Sequence, residues 1–249
     1  MIRNGKVLIA GLCGGGGHVA QQLAHIGFGH QVLCDFDTVD ETNLNRMVGS
    51  CPADAEDARP KVDVIEELVL KINPAVKVTK LEGRWQDDPK ELHDSIAVFG
   101  CVDSFSQRAE LEAYTRRYML PYIDVGMDVT EVEGQHYITG QVLVSLPGRP
   151  CMYCMGFLTA KALAEEGRRY GDVGGRPQVI WPNGVLASAA VGQLMRLVTP
   201  WHTASQNLYL EYDGNQQTLT VSNRTPYFPK VCNHYPLSAV GDPFWGGSN

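Results

Sequence analysis

KVLIAGLCGGGG, Lys6–Gly17, is a short apolar run that ends on one glycine and leads into four more. Apolar residues without alternation read as a strand buried on both faces, as in a parallel sheet. After the glycines, Val19, Leu23 and Ile26 recur at helical spacing, and Gly27 ends the helix. Gln31–Cys34 forms the next strand and closes on Asp35. Strand, glycine turn, helix, strand and acid, in that order, open a doubly wound α/β fold. Gly11, Gly14 and Gly16 let backbone N–H groups approach a phosphate, and a helix N-terminus adds a favourable field. Asp35 stands where an acid reaches the two ribose hydroxyls of a nucleotide. The turn also fits a purely structural role in helix–strand packing. It does not separate NAD from ATP, although Cys13 replaces the second glycine of G-x-G-x-x-G and so weakens a dinucleotide reading.

The alternation continues outward. Residues 37–58 are polar and irregular, Pro60–Ile72 has helical periodicity, and Val76–Leu81 reads as a strand. Ile96–Cys101 is a further strand ending near Asp103, followed by a helix from about Gln107 to Tyr118 and the strand Tyr122–Val125. Acids therefore sit at the carboxyl ends of strands, where ligands bind in open α/β sheets. The second half differs. His136–Ser145 alternates like an antiparallel strand, a Cys151-Met-Tyr-Cys154 pair follows, and residues 160–177 are polar. Gly184–Val198 is a small-residue helix. Leu208–Tyr212 and Thr218–Val221 flank an Asp213-Gly214 turn, a hairpin signal. The expected fold class is α/β: a Rossmann-like mixed sheet, parallel in its N-terminal half and antiparallel in its C-terminal half, flanked by helices. A single domain over residues 1–249 is expected, with a nucleotide-binding half at 1–130 and an antiparallel half with a crossover loop at 131–249.

A formal charge of −7 and no basic block argue against nucleic-acid binding. No apolar run reaches membrane-spanning length, and the N-terminus enters the first strand without a signal-peptide core. The expected location is the cytoplasm. Seven cysteines in such a chain point to core thiols, a metal site or a reactive thiol rather than a disulfide framework.

The segment DFDTVDETNLNR, Asp35–Arg46, carries more information. It places Asp37, Asn43 and Arg46 above the nucleotide pocket, and Lys61 opens the next helix. An arginine and a lysine there clamp a triphosphate and stabilise charge that develops in adenylyl transfer. Asp103, at the same sheet edge, suits Mg²⁺ beside a triphosphate. Singly, Arg46 and Lys61 read equally as surface charges; as a set they favour ATP.

With these residues in view, the chain resembles the ThiF/MoeB family, the adenylating domain of ubiquitin-activating enzymes. The resemblance rests on the glycine turn, DFDTVDETNLNR, RPKVDVIEELVLKINP (Arg59–Pro74), CVDS (Cys101–Ser104), PG…PCMYC (Pro147–Cys154) and GVLASAAVGQLMRLV (Gly184–Val198). It implies ATP as cofactor, with Asp35 on the ribose and Asn43, Arg46 and Lys61 on the phosphates. Arg46, Lys61 and Asp103 would carry catalysis, with Asp103 on Mg²⁺. The implied substrate is the C-terminal glycine carboxylate of a ubiquitin-like or sulfur-carrier protein. A conjugating enzyme is a further implied partner, and a homodimer the implied assembly. The other classes weighed are an NAD-dependent Rossmann oxidoreductase and a non-catalytic subunit of a heterodimeric activating enzyme.

Three departures from the family pattern stand out. Five residues precede the first strand, so Arg3 is a weak substitute for an arginine that reaches into a partner subunit's site. The second metal pair, usually C-x-x-C, is here Cys232-Asn-His234, which with Cys151 and Cys154 makes a Cys₃His set for structural Zn²⁺. The same residues also fit reduced thiols in an apolar neighbourhood. No cysteine lies between Met155 and Leu186, where thioester-forming relatives carry one. Cys51 is the nearest loop thiol, read also as incidental; Cys13, Cys34 and Cys101 read as buried small hydrophobes.

Overall fold

A computed structural model describes residues 2–168, 178–203 and 206–240. In chain order the elements are β1 (Lys6–Ala10), α1 (Gly14–Ile26), β2 (His30–Cys34), α2 (Pro52–Glu56), α3 (Lys61–Ile72) and β3 (Lys77–Leu81). Then come β4 (Ser95–Gly100), α4 (Phe105–Arg117), β5 (Tyr122–Val132), β6 (Gln135–Ser145), α5 (Ala160–Arg168), α6 (Ile180–Val198), β7 (Tyr209–Asp213) and β8 (Thr218–Val221). One eight-stranded sheet has the order β3-β2-β1-β4-β5-β6-β7-β8. Its first five strands in that order pair in parallel and the rest antiparallel. The expected mixed sheet is therefore present.

Val7, Leu8 and Ile9 of β1 are fully buried. Each such side chain contributes about 1.5–3 kcal/mol by leaving water. Helix α1 packs between α3 and α6, while α4 packs on β4 and β5. Right-handed crossovers put α4 on the opposite face from α1 and α3, because the chain reverses its winding direction between β1 and β4. That reversal opens a crevice at the carboxyl ends of β1 and β4. The glycine turn enters it, and at Gly11 and Gly14 it offers backbone alone. Gly11 has φ +86°, and a Cβ on Gly16 would lie 1.8 Å from the Gly11 carbonyl oxygen.

Several boundaries differ from expectation. Strand β5 runs seven residues past Val125 to Val132 and turns through Glu133 and Gly134, φ 52° and 78°. Two positive φ values in a two-residue loop match the twist of a hairpin. The distal half of that hairpin projects from the core and is exposed, so its apolar signal fades in sequence. Helix α6 starts at Ile180 rather than Gly184. Pro182 sits in the first turn, where a missing N–H costs nothing. Residues 160–168, expected as part of a polar stretch, form α5; the rest of that stretch, 169–177, lies outside the described residues. The irregular segment 37–58 contains the short helix α2.

Candidate active site

A cleft opens at the carboxyl edge of the sheet, walled by the glycine turn, the ends of β2 and β4, the middle of β5 and the start of α6. Gly11 and Gly14 line it. Gly16 does not; it lies under the turn, where its lack of a side chain lets the chain fold onto itself. Asp35, 9% exposed, accepts the Leu12 N–H at 2.7 Å and the Asp37 N–H at 2.9 Å, one on each carboxylate oxygen. The acid thus ties the end of β2 to the glycine turn and keeps free lone pairs towards the cleft. Burial raises its pKa; Lys61 and the two backbone donors oppose the rise.

A polar annex continues from this cleft, lined by Asp37, Thr42, Asn43, Arg46, Lys61, Asp103 and their neighbours. Lys61 opens α3, is 5% exposed, and donates to Asp37 Oδ2 at 2.8 Å. Burial opposes its charge, but Asp35 and the bond to Asp37 outweigh it and hold the ammonium above its ordinary pKa. Asn43 is buried and accepts the Asp40 N–H. Arg46 turns one guanidinium nitrogen to the Thr42 carbonyl and to Asn45 Oδ1. Its Nε is buried without a hydrogen-bond partner among the described residues, a donor that an anion in the annex would satisfy. Asp103 is exposed at the rim, and Gln178 donates to one of its oxygens at 3.3 Å. One carboxylate beside phosphate oxygens is a donor set that Mg²⁺ accepts. The residues expected to bind nucleotide therefore come together, apart from Gly16. Arg3 lies at the amino end of β1, the opposite edge from the cleft, and is exposed.

The structure also places residues that sequence reading passed over. Arg108, on α4, lines the cleft floor and pairs with the fully buried Asp124 of β5 at 2.5 Å, while Tyr122 donates to the other Asp124 oxygen. Arg108 sits over the Phe157 ring at 5.6 Å. Asn183, in the first turn of α6, abuts Gly14: a Cβ there would meet Asn183 Nδ2 at 2.5 Å. The segment Trp181-Pro-Asn-Gly184 is thus a helix start that also shapes the cleft. Arg84 lies over Phe36 at 5.8 Å on the β3 side of the mouth. In sequence, Arg84 and Arg108 are marked only by following β3 and β4, and Asn183 only by its place in a helix start.

Three thiols line the cleft, and burial raises them all: Cys34 to about 12, Cys13 and Cys101 upward as well. They stay protonated at neutral pH and are poor nucleophiles. Cys51 is exposed, at the start of α2, and lines neither the cleft nor its annex.

Away from the cleft, Cys151, Cys154, Cys232 and His234 converge, with their ligand atoms all within 4.8 Å of one another. Cys151 Sγ is 3.6 Å from Cys154 Sγ, and His234 Nδ1 is 3.5 and 3.4 Å from the two sulfurs. A tetrahedron of zinc–sulfur and zinc–nitrogen arms has edges of about 3.6–3.8 Å. The donor set fits Zn²⁺ in type and spacing, and the tight Cys232-Asn-His234 pair reaches the same point from one turn.

A doubly wound sheet whose switch-point crevice offers a glycine turn, an ammonium and a guanidinium defines a nucleotide-binding α/β protein. The chain belongs to the ThiF family, whose model matches residues 1–233. It is similar to the molybdopterin-synthase adenylyltransferase of Salmonella typhimurium, 27% identical over 86% of this chain and 80% of that protein. It is also similar to the SAMP-activating enzyme E1 of Haloferax volcanii, 29% identical over 95% and 83%. Among solved structures, E. coli MccB with ATP shares the fold at TM-score 0.68 and 22% identity, covering 89% of this chain and 64% of that chain. The chain thus spans under two thirds of MccB. Among the described residues no helix is long and apolar enough to cross a membrane.

Proposed function

We propose that this chain uses Mg-ATP to adenylate the C-terminal glycine carboxylate of a ubiquitin-like or sulfur-carrier protein, releasing pyrophosphate. The observation that carries this reading is the continuity of the glycine-turn cleft with an annex holding Lys61, Asn43, Arg46 and Asp103. Asp35 takes the ribose, the Gly11 and Gly14 backbone the phosphates nearest the turn, and Asn43, Arg46 and Lys61 the outer phosphates. Asp37 holds the Lys61 ammonium in place. Mg²⁺, when bound at Asp103, neutralises phosphate charge. A carboxylate oxygen of the partner's tail attacks the α-phosphorus, the bond to the bridging oxygen breaks, and pyrophosphate leaves with that electron pair. No base is needed, because the nucleophile is already an anion. Catalysis is positioning plus electrostatics.

An NAD-dependent oxidoreductase has no use for a buried ammonium beside a rim carboxylate, and a non-catalytic subunit no need to keep the set intact. The raised thiols of the cleft favour a reaction that stops at the acyl adenylate in this chain. We further propose structural Zn²⁺ at Cys151, Cys154, Cys232 and His234, and a homodimer as the working assembly. The test is intact-mass spectrometry after incubation with ATP and each small protein from the same genome that ends in glycine. An adenylate on one carrier, lost with Lys61→Met, is expected. No adduct with any carrier from a folded, ATP-binding enzyme would contradict the substrate assignment.

A further inference from the structure

Helix α4 carries two charged side chains that the nucleotide site does not use. Glu112 is 0% exposed and Arg116 3%. Burying both charges is costly unless each is held by hydrogen bonds. Both are directed to the loop that presents Cys151 and Cys154. Arg116 donates from Nη1 to the Arg149 carbonyl, from Nη2 to the Pro150 carbonyl and from Nε to Ser145 Oγ, each at 2.8 Å. Glu112 Oε1 accepts the Ser145 hydroxyl at 2.5 Å and the Met152 N–H at 2.8 Å. The backbone is therefore gripped at 149, 150 and 152, on both sides of Cys151. On the other limb of the cluster, the Arg116 guanidinium lies 5.7 Å from the ring centroid of Tyr235, the residue after His234. Tyr153 stacks on the His234 ring at 5.2 Å.

We propose that Arg116 and Glu112, joined through Ser145, are positioning residues for the metal site: they hold the Cys151–Cys154 loop and the Cys232–His234 turn in ligating geometry before the ion arrives. The inference rests on the zinc reading above. An arginine is suited to the task because its planar fork serves two carbonyls and a hydroxyl at once, which a lysine's single nitrogen does not. Glu112 supplies the complementary acceptor that a loop N–H needs. Outer partners of metal ligands of this kind affect metal affinity by about 10- to 100-fold.

The test measures zinc content, zinc release to a colorimetric chelator, and the absorption spectrum of the cobalt-substituted protein, in the full chain. Wild type is expected to hold one zinc and give the spectrum of a tetrahedral thiolate-rich site. Arg116→Met should release zinc about 10- to 100-fold faster and alter the cobalt bands. Glu112→Gln keeps a carbonyl acceptor and should stay near wild type. If Arg116→Met fails to fold, Ser145→Ala removes the joining hydroxyl with little change of volume and should show the same direction. Melting with and without chelator separates positioning from general support: the variant should narrow the gap between zinc-loaded and zinc-free protein. A wild type that binds no zinc overturns the metal reading and this inference with it. A zinc-loaded wild type, with Arg116→Met and Ser145→Ala holding zinc as tightly and with unchanged cobalt bands, overturns the inference alone.

Discussion

Lys61 is buried yet charged, and its partner Asp37 has a side chain that is 49% exposed. Removing the ammonium leaves Asp37 hydrated and takes from the buried Asp35 only a Coulombic neighbour, its two backbone donors remaining, so Lys61→Met tests chemistry more than folding. Loss of one preorganised donor to developing charge typically costs 10²–10³ in rate. Lys61→Met should lower ATP–pyrophosphate exchange by about that much with a nearly unchanged melting temperature. Arg108 is the opposite case. Its partner Asp124 is fully buried, so Arg108→Ala strands an anion and should destabilise the protein by about 3–5 kcal/mol in denaturant unfolding. Lost activity in that variant would say nothing about catalysis.

Asp35 sets the acid side of the pH profile. Its carboxyl lies above its ordinary 3.8 because burial disfavours the anion. The native chain thus holds this proton at a pH where the unfolded chain has released it. Ionisation of Asp35 opposes folding, fully above the native pKa, and the penalty is relieved as pH falls through it. The anion is nevertheless the form that accepts ribose hydroxyls. Nucleotide affinity should begin to weaken, on acidification, above the ordinary carboxylate range. Asp35→Asn should bind weakly, and the ratio of the two affinities measured by calorimetry should approach one at low pH. Lys61, held above its ordinary 10.5, should impose no alkaline loss below that pH.

At the scale of elements, glycines that look alike in sequence do different work. Gly16 lies against the Gly11 carbonyl, whereas Gly192, in α6, has nothing within 4 Å of a built Cβ. Gly16→Ala should break the turn and abolish nucleotide binding. Gly192→Ala should raise stability by about 0.5–1 kcal/mol, because it removes backbone freedom from the unfolded chain. Thermal melts of both variants check the pair. The elements flanking β1 were readable because buried strands keep an unbroken apolar run. The outer half of β5 and α5 were not, since exposed elements are not constrained to an apolar pattern, whereas β6 showed its alternation from His136 onward. The helix expected from Gly184 begins four residues earlier because Pro182, which suits a turn, also suits a helix's first turn.

For the whole molecule, one sheet carries two separate groups of polar side chains. The convergence of the proposed nucleotide set was legible because Asp35, Asn43, Arg46 and Lys61 are spaced along two adjacent segments that leave the same sheet edge. Arg108 escaped notice because it reaches the cleft only through the tertiary packing of α4 on β4 and β5. The Cys₃His set was readable as residue types, and the fold brings together pairs about 80 residues apart. If zinc fills that set, stripping it with a chelator should lower the melting temperature by more than about 4 °C, the shift that roughly 1 kcal/mol or more produces in a chain of this size. Restoring zinc should reverse the shift.

On this account Mg-ATP occupies the cleft with its outer phosphates against Lys61 and Arg46. Calorimetric titration of wild type, Lys61→Met and Arg46→Ala with Mg-ATP, and of wild type with NAD, tests it most directly. Saturable Mg-ATP binding by wild type, weakened at least tenfold in both variants and accompanied by no NAD binding, is the expected result. NAD binding without ATP binding, or variants that bind Mg-ATP as tightly as wild type, would contradict it.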